Sequence, residues 1–337
     1  ETSKAGYSLE QILEVIGSEC YLKDKQNTLE ILHNWRQKFP ANTPPKLVVV
    51  CASGGGQRAA FWTLKVLQAA DHLTQGKLME HTMLISCVSG GALGASYFRE
   101  LCLRKKLGEA IDPYDKEHLV KIARNSLNPF IFNMVTNDML LDIKTFQYQG
   151  KAYRRDRGCA VENQFNLHTD FVLEKTLGAY KAPEYKSQTP MLLLTPMLKD
   201  GRKLFISSQN VAYMGTNFAT PGYLCTNKKI KGVDFLRFFK DQGASQLRFI
   251  SALRMGASYP YILPSVALPT TPTLHAMDAA LGDNFGIADA LHFLCVFREW
   301  IKANTSGVAL VVIRSSEKEE DISPSTSASL FEKLAAP

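Results

Sequence analysis

The sequence predicts an α/β fold of three layers, α/β/α, with a mostly parallel central sheet. Two largely apolar runs, Lys46–Ala52 and Thr82–Cys87, have the length of single strands. Their lack of clear polar alternation is expected of strands covered on both faces. Each run passes through a glycine-rich turn into a helix of small and apolar residues. Strand, tight turn and helix therefore occur twice in succession, the unit that builds a sheet with helices on both sides.

The remaining elements follow in order. Residues 8–18 and 27–39 have the spacing of amphipathic helices, and Asn42-Thr43-Pro44-Pro45 makes a turn before the first strand. Helices are expected from Gln57 to about Ala70 and from Gly90 to about Lys105. Further helices are expected over 115–127, 130–142 and 159–177, with a basic cluster of Lys151, Arg154, Arg155 and Arg157 between the last two. Strands resume at Met191–Thr195 and Lys203–Ser208. Helices near 233–241 and 246–255 precede an apolar segment, Leu274–Ala280, and a long helix from Asn284 to Lys302. Val308–Ile313 reads as a last buried strand. From Ser315 the chain turns charged and then Ser/Thr-rich, as in a loosely held tail. Without an internal repeat or a clean linker, one core is expected over 46–314. Residues 1–45 would be a helical extension packed on it, and 315–337 a tail.

A chain of 337 residues with 45% hydrophobic content can bury a sizeable core. The formal charge of +7, with both signs interspersed, favours an anionic surface such as a lipid headgroup layer and carries no signature of a nucleic-acid binder. The seven cysteines (Cys20, Cys51, Cys87, Cys102, Cys159, Cys225 and Cys295) are odd in number and widely spaced, with no CxxC. They are expected to be reduced, mainly buried thiols, and no metal or cofactor is expected. The longest uncharged stretch, Met255–Met277, is broken by Pro260, Pro264, Pro269 and Pro272, so no membrane span is predicted. A start at Glu1 with no leader pattern suggests a piece of a longer protein. The expected setting is the cytoplasm or the cytoplasmic side of a membrane.

The chemistry concentrates in the turns. Ser53-Gly54-Gly55-Gly56-Gln57-Arg58 is a nest of backbone N–H groups suited to an anion, with Arg58 placed to brace it or add charge. It lacks both the GK[ST] of a phosphate loop and the GxGxxG of a dinucleotide site. Cys87-Val88-Ser89-Gly90-Gly91 reads as a sharp strand-to-helix turn with a serine at its tip, or as a plain turn with a serine cap. A serine nucleophile needs a base. None of His33, His72, His81, His118, His168, His275 and His292 lies in a diagnostic motif, although chain order would allow His292. The segment His275–Gly286 offers Asp278 where a strand would end at the carboxyl edge of the sheet. Alternatively, Asp278 and Asp283 are loop carboxylates and Asn284 caps the long helix.

These segments, in this order, resemble the patatin-like phospholipase family. Gly54-Gly55-Gly56-Gln57-Arg58 matches its GGGxR loop, Ser89 its GxSxG serine about thirty residues later, and Asp278 with Asn284 its late DGG or DGA turn. Leu253–Pro260 with Pro264 resembles the small-residue stretch ahead of that turn. The likeness spans about 46–314 and is greatest to larger bacterial members, whose turn continues as D-N-x-G, here Asp283-Asn284-Phe285-Gly286. The resemblance implies a Ser–Asp dyad of Ser89 and Asp278 without histidine. It also implies an oxyanion hole at Gly54, Gly55 and Gly56, support from Arg58, Gly90, Gly91 and Asn284, and no cofactor. The implied substrate is a lipid or fatty acyl ester. Phe130-Ile131-Phe132-Asn133-Met134-Val135 and Phe235–Phe239 are candidate walls for an acyl chain, and the 151–157 cluster a candidate contact for headgroups. Three positions depart from the pattern: Cys87 replaces the first elbow glycine, and Ala279 and Ala280 replace the glycines after the aspartate. If those positions need positive φ, alanine strains the turn, and the chain would instead be an impaired family member that binds lipid or regulates a larger membrane-associated protein.

Overall fold

The computed structural model describes residues 3–125, 131–132, 135, 144–148, 150–216, 230–260 and 262–316. The main strands are β1 (Leu47–Ala52), β2 (Thr82–Cys87), β3 (Met191–Leu193), β4 (Met197–Leu198), β5 (Lys203–Phe205), β6 (Gly232–Asp234), β7 (Val266–Ala267), β8 (His275–Met277) and β9 (Val308–Ile313). The main helices are α1 (Leu9–Ile16), α2 (Ser18–Arg36), α3 (Gly56–Leu73), α4 (Ser89–Lys106), α5 (Glu117–Ala123), α6 (Arg157–His168), α7 (Phe249–Met255), α8 (Ile287–Val296) and α9 (Arg298–Asn304).

The four strands β9-β1-β2-β3 form a parallel sheet in that order, with Val50 paired to Val311 and to Ile85. A mixed sheet, β7-β8-β4-β5-β6, continues from it through an antiparallel bridge between Leu194 and Ile206. β1 shows why its run has no alternation. Val48, Val50 and Ala52 pack into one core cluster with Leu64 and Leu67 of α3 and Ala92 of α4. Leu47, Val49 and Cys51 pack into a second cluster with Ile31 and Trp35 of α2 and Phe293, Phe297 and Ile301 of α8 and α9. Successive side chains of a strand point to opposite faces, so helices on both sides make every position apolar. The fold is a three-layer α/β/α architecture around a largely parallel sheet.

Several boundaries differ from expectation. α2 begins at Ser18, directly after the Gly17 that ends α1. Its first half buries Asp24 and Thr28, which serve the Ala212 N–H, Arg237 and the Tyr213 hydroxyl, so the inward face is not apolar. The helix expected over 159–177 stops at His168, and the one expected over 233–241 is the strand β6 followed by a short helix, Phe235–Phe238. The long final helix is two helices meeting at Phe297. β9 lies at the sheet edge, where Val308, Leu310 and Val312 are 40, 37 and 38% exposed. Its register places them on the Leu47–Val49 face, which the helices there leave uncovered at the edge.

The basic segment 151–155 is the second strand of an antiparallel hairpin with 144–148, and the side chains of Lys151, Arg154 and Arg155 lie outside the described residues. So do most of 130–142, Cys225 and the tail from 317. Of the cysteines described, Cys51, Cys87 and Cys159 are buried, Cys20 and Cys102 are partly buried, and Cys295 is exposed, all as free thiols. No helix among the described residues is long and apolar enough to cross a membrane.

Candidate active site

Ser89 is the first residue of α4, two residues past the end of β2, with φ at +49°, in the left-handed region that non-glycine residues rarely enter. The Val88 N–H donates to the Ala52 carbonyl at 3.0 Å, tying the turn to the end of β1. The next two glycines permit the close docking that follows. A Cβ on Gly90 would stand 1.9 Å from the Gly56 carbonyl oxygen, and one on Gly91 would stand 2.5 Å from that of Ser53. The start of α4 therefore lies directly on the glycine loop. Cys87 ends β2 as a buried strand residue outside the positive-φ region, so the elbow does not need glycine there.

Asp278 follows β8 and is held from the backbone side. Its N–H donates to the Ser258 carbonyl at 3.1 Å, and the Ala279 N–H donates to that of Gly256 at 3.2 Å. The small-residue stretch thus serves as the seat of the aspartate turn. The Ser89 hydroxyl donates to Asp278 Oδ2 at 2.8 Å, and the Ala280 N–H donates to Oδ1 at 2.8 Å. The carboxyl is 1% exposed, and burial raises its pKa from 3.8 to about 6 against the opposing effect of these two hydrogen bonds. Ala279 and Ala280 lie in a short 3₁₀ turn with neither residue at positive φ. Alanine therefore causes no strain there.

The glycine loop is tied to the same turn. The Gly54 N–H donates to the Asn284 carbonyl at 3.1 Å and to Asn284 Oδ1 at 3.2 Å. Gly55 and Gly56 have φ of +134° and +60°, and their N–H groups meet no acceptor among the described residues. Asn284 does not cap α8. That work falls to Asp283, whose carboxylate accepts from the N–H groups of Phe285, Gly286 and Ala288. Sequence reasoning missed Ser315, whose hydroxyl donates to the Gly54 carbonyl at 2.8 Å, because it lies beyond the last strand. Arg58 is exposed and makes no ion pair or hydrogen bond among the described residues. His292 is buried elsewhere, with Nδ1 3.3 Å from Lys231 Nζ. Burial first, and then that lysine's charge, lower its pKa to about 4.

A cavity of about 270 Å³ opens at Ser89, Gly90 and Gly56. Leu93, Ile122, Phe165, Ile250 and Leu263 make most of its wall apolar, with Lys121, His168, Glu162 and Arg254 among its polar members. Of the segment 130–135, the described residues Ile131, Phe132 and Val135 are exposed. Phe235 and Phe239 are buried and line a neighbouring cavity. No group of metal-binding side chains occurs among the described residues.

A family model described as patatin-like phospholipase matches residues 50–291, the stretch that contains the glycine loop, Ser89 and Asp278. The chain belongs to the patatin-like phospholipase family. Among solved structures, this patatin-like chain is similar to VipD from Legionella pneumophila, with 11% identity over 72% of this chain and 47% of that one (TM-score 0.32). It is also similar to human GIVD cytosolic phospholipase A2 in complex with methyl gamma-linolenyl fluorophosphonate and terbium chloride. There the identity is 13% over 85% of this chain and 43% of that one (TM-score 0.35). A further structure of human GIVD cytosolic phospholipase A2 gives 13% identity over 85% of this chain and 46% of that one (TM-score 0.34). The chain spans less than half the length of each. No curated protein matches it.

Proposed function

We propose that this chain is a lipid acyl hydrolase, of phospholipase A or lysophospholipase type, that cleaves carboxylic esters through Ser89 and Asp278. The observation that carries this reading is the 2.8 Å hydrogen bond from a strained, cavity-facing serine to a buried carboxylate. Asp278 takes the Ser89 proton as Oγ bonds to the ester carbonyl carbon. The carbonyl oxygen becomes an oxyanion and is held by the Gly55 and Gly56 N–H groups, each such donor being worth about 3 kcal/mol in comparable sites. The Gly54 N–H, expected as a third donor, is instead engaged by Asn284, and Gly54 serves by its lack of a side chain, since a Cβ there would stand 2.7 Å from Asn284 Oδ1 and 3.3 Å from Ser89 Cβ. The positive end of α4 acts in the same sense on the developing charge. The ester C–O bond then breaks and Asp278 gives its proton to the leaving alcohol. Water attacks the acyl-serine with Asp278 again as base, releasing the fatty acid and restoring the Ser89 hydroxyl.

The mostly apolar cavity suits an acyl chain, and the +7 charge suits an anionic lipid surface. The competing reading, an impaired lipid-binding domain, rests on strain at Ala279 and Ala280, and neither residue lies at positive φ, which favours the hydrolase. The test is hydrolysis of a short acyl ester together with labelling by a fluorophosphonate probe. Wild type should turn over and label at Ser89, while Ser89→Ala and Asp278→Asn should lose turnover. Full activity in Ser89→Ala would overturn the assignment.

A further inference from the structure

The cavity at Ser89 adjoins a second one of about 320 Å³, and Glu162 and Arg254 are the two residues that line both. Helix α7 is the partition. Ile250 and Arg254, one turn apart, face the Ser89 cavity, and Ser251 and Met255 face the other. The second cavity is lined mainly by apolar side chains, among them Phe235, Phe239, Leu247 and Leu268, with Asp156, Gln242 and Ser265 among its polar members.

Between these two apolar spaces stands a buried ionic cluster. Arg254 Nε donates to Glu162 Oε1 at 2.6 Å, and Glu162 Oε2 accepts from Arg248 Nη1 at 3.1 Å and from the Ser251 hydroxyl at 2.8 Å. Glu162 and Arg248 are each 4% exposed. Gly158 makes room for the cluster, because a Cβ there would stand 2.3 Å from Arg254 Nη1. Buried ion clusters stabilise a fold no better than well-packed apolar side chains of similar volume. This cluster also stands where apolar residues would be the easier filling. An acyl chain gains by burying methylenes against apolar walls and loses where it must lie against desolvated charges. We propose that the Arg254–Glu162 pair sets the acyl-chain length accepted at Ser89 by closing that cavity against a second apolar compartment able to hold the distal chain. This rests on the lipid acyl hydrolase reading above.

Arg254→Ala opens the wall and takes the partner of Glu162 Oε1 and the more distant ion pair of Asp156, while Glu162 Oε2 keeps Arg248 and Ser251 and Asp156 keeps the Cys159 N–H. Rates are measured for p-nitrophenyl esters of 4, 8, 12 and 16 carbons, a series of about even steps chosen because each newly buried methylene is worth about fourfold in kcat/KM. The expected result is a rise of at least tenfold in the ratio of the longest ester to the eight-carbon ester. Adding Val266→Phe, which fills the second cavity, should bring the ratio back. If Arg254→Ala does not fold, Arg254→Met removes the charge and keeps much of the stem, and a smaller rise in the same ratio is expected. A second readout is independent of turnover: displacement of a fluorescent fatty acid by octanoate and by palmitate, in the Ser89→Ala background. A shift towards palmitate there, together with no ester hydrolysis by the chain that keeps Ser89, would uphold the wall and overturn the enzyme reading. Unchanged chain-length ratios in both assays would overturn the wall.

Discussion

Asp278 carries a cost that can be measured apart from its chemistry. Its carboxyl is almost wholly buried and titrates near 6 in the folded chain, against 3.8 when unperturbed. Between those values the folded chain holds a proton that the unfolded chain has released. The stability this confers is fully present below about pH 4 and is lost as pH rises through about 6. At about 1.4 kcal/mol per pKa unit, the loss is about 3 kcal/mol by pH 8. Asparagine keeps an oxygen for the Ala280 N–H and an amide group beside Ser89 but carries no charge, so Asp278→Asn escapes this loss. Its stability relative to wild type should therefore grow by about 3 kcal/mol between pH 4 and pH 8. For a chain of 337 residues that is a shift of about 4 °C in Tm, from the usual unfolding entropy per residue. Urea unfolding at pH 4, 6 and 8 measures the difference. In the same samples the wild-type rate should fall as pH drops through about 6, where the base becomes protonated, and the variant should lose at least about a thousandfold in kcat. A stability difference that does not change with pH would refute the argument from burial. A variant that still turns over would refute the role of base.

Three further outcomes follow from the same geometry. Asn284→Ala removes the Oδ1 acceptor of the Gly54 N–H and leaves only the main-chain carbonyl of residue 284, so the glycine loop loosens and kcat for a short ester should fall about tenfold to a hundredfold, with Tm within about 2 °C of wild type in a thermal melt. Gly90→Ala places a Cβ 1.9 Å from the Gly56 carbonyl oxygen, so α4 must move off the loop, and urea unfolding should show a loss of about 2 kcal/mol or more. His292→Ala should keep ester hydrolysis within about threefold of wild type per folded molecule while losing about 1–3 kcal/mol of stability, because the ring is buried away from Ser89. A thousandfold loss there would restore a histidine-based triad.

The strands and turns that build the candidate site were legible because their causes are local. β1 and β2 advertise burial on both faces, and Ser89-Gly90-Gly91 needs small residues wherever it folds this way. The sign of φ at Ala279 and Ala280 was not legible. Glycine permits either sign, and alanine in its place reveals only afterwards that the turn never used the positive one. The exchange of duties between Asp283 and Asn284 was hidden for a similar reason. Both are good helix caps, and the tertiary position of Gly54 draws Asn284 away. β9 has the composition of a buried strand yet forms an edge, because strand order depends on the whole sheet and not on the strand's own residues. The early half of α2 lacked an apolar stripe because its buried positions are polar and find distant partners.

The turn 278–286 does two jobs that mechanism requires to be coordinated. Its first residue meets Ser89, and its Asn284 ties the glycine loop through Gly54. Gly286 docks the far end of the turn on β2, where the Ser86 hydroxyl donates to its carbonyl at 2.9 Å. Asp278, Ser89 and the glycine loop are thus all tied to the paired strands β1 and β2, which on the proposed mechanism favours a fixed near-attack geometry over one assembled on binding. The other support of Asp278 is the segment just after α7, through the carbonyls of Gly256 and Ser258. That same helix presents Arg254 to the cavity. A substrate that presses on the Arg254–Glu162 wall therefore pushes on the element that seats the base. An overlong chain would be penalised in kcat as well as in KM, which separates a wall of this kind from a cavity that merely runs out of room.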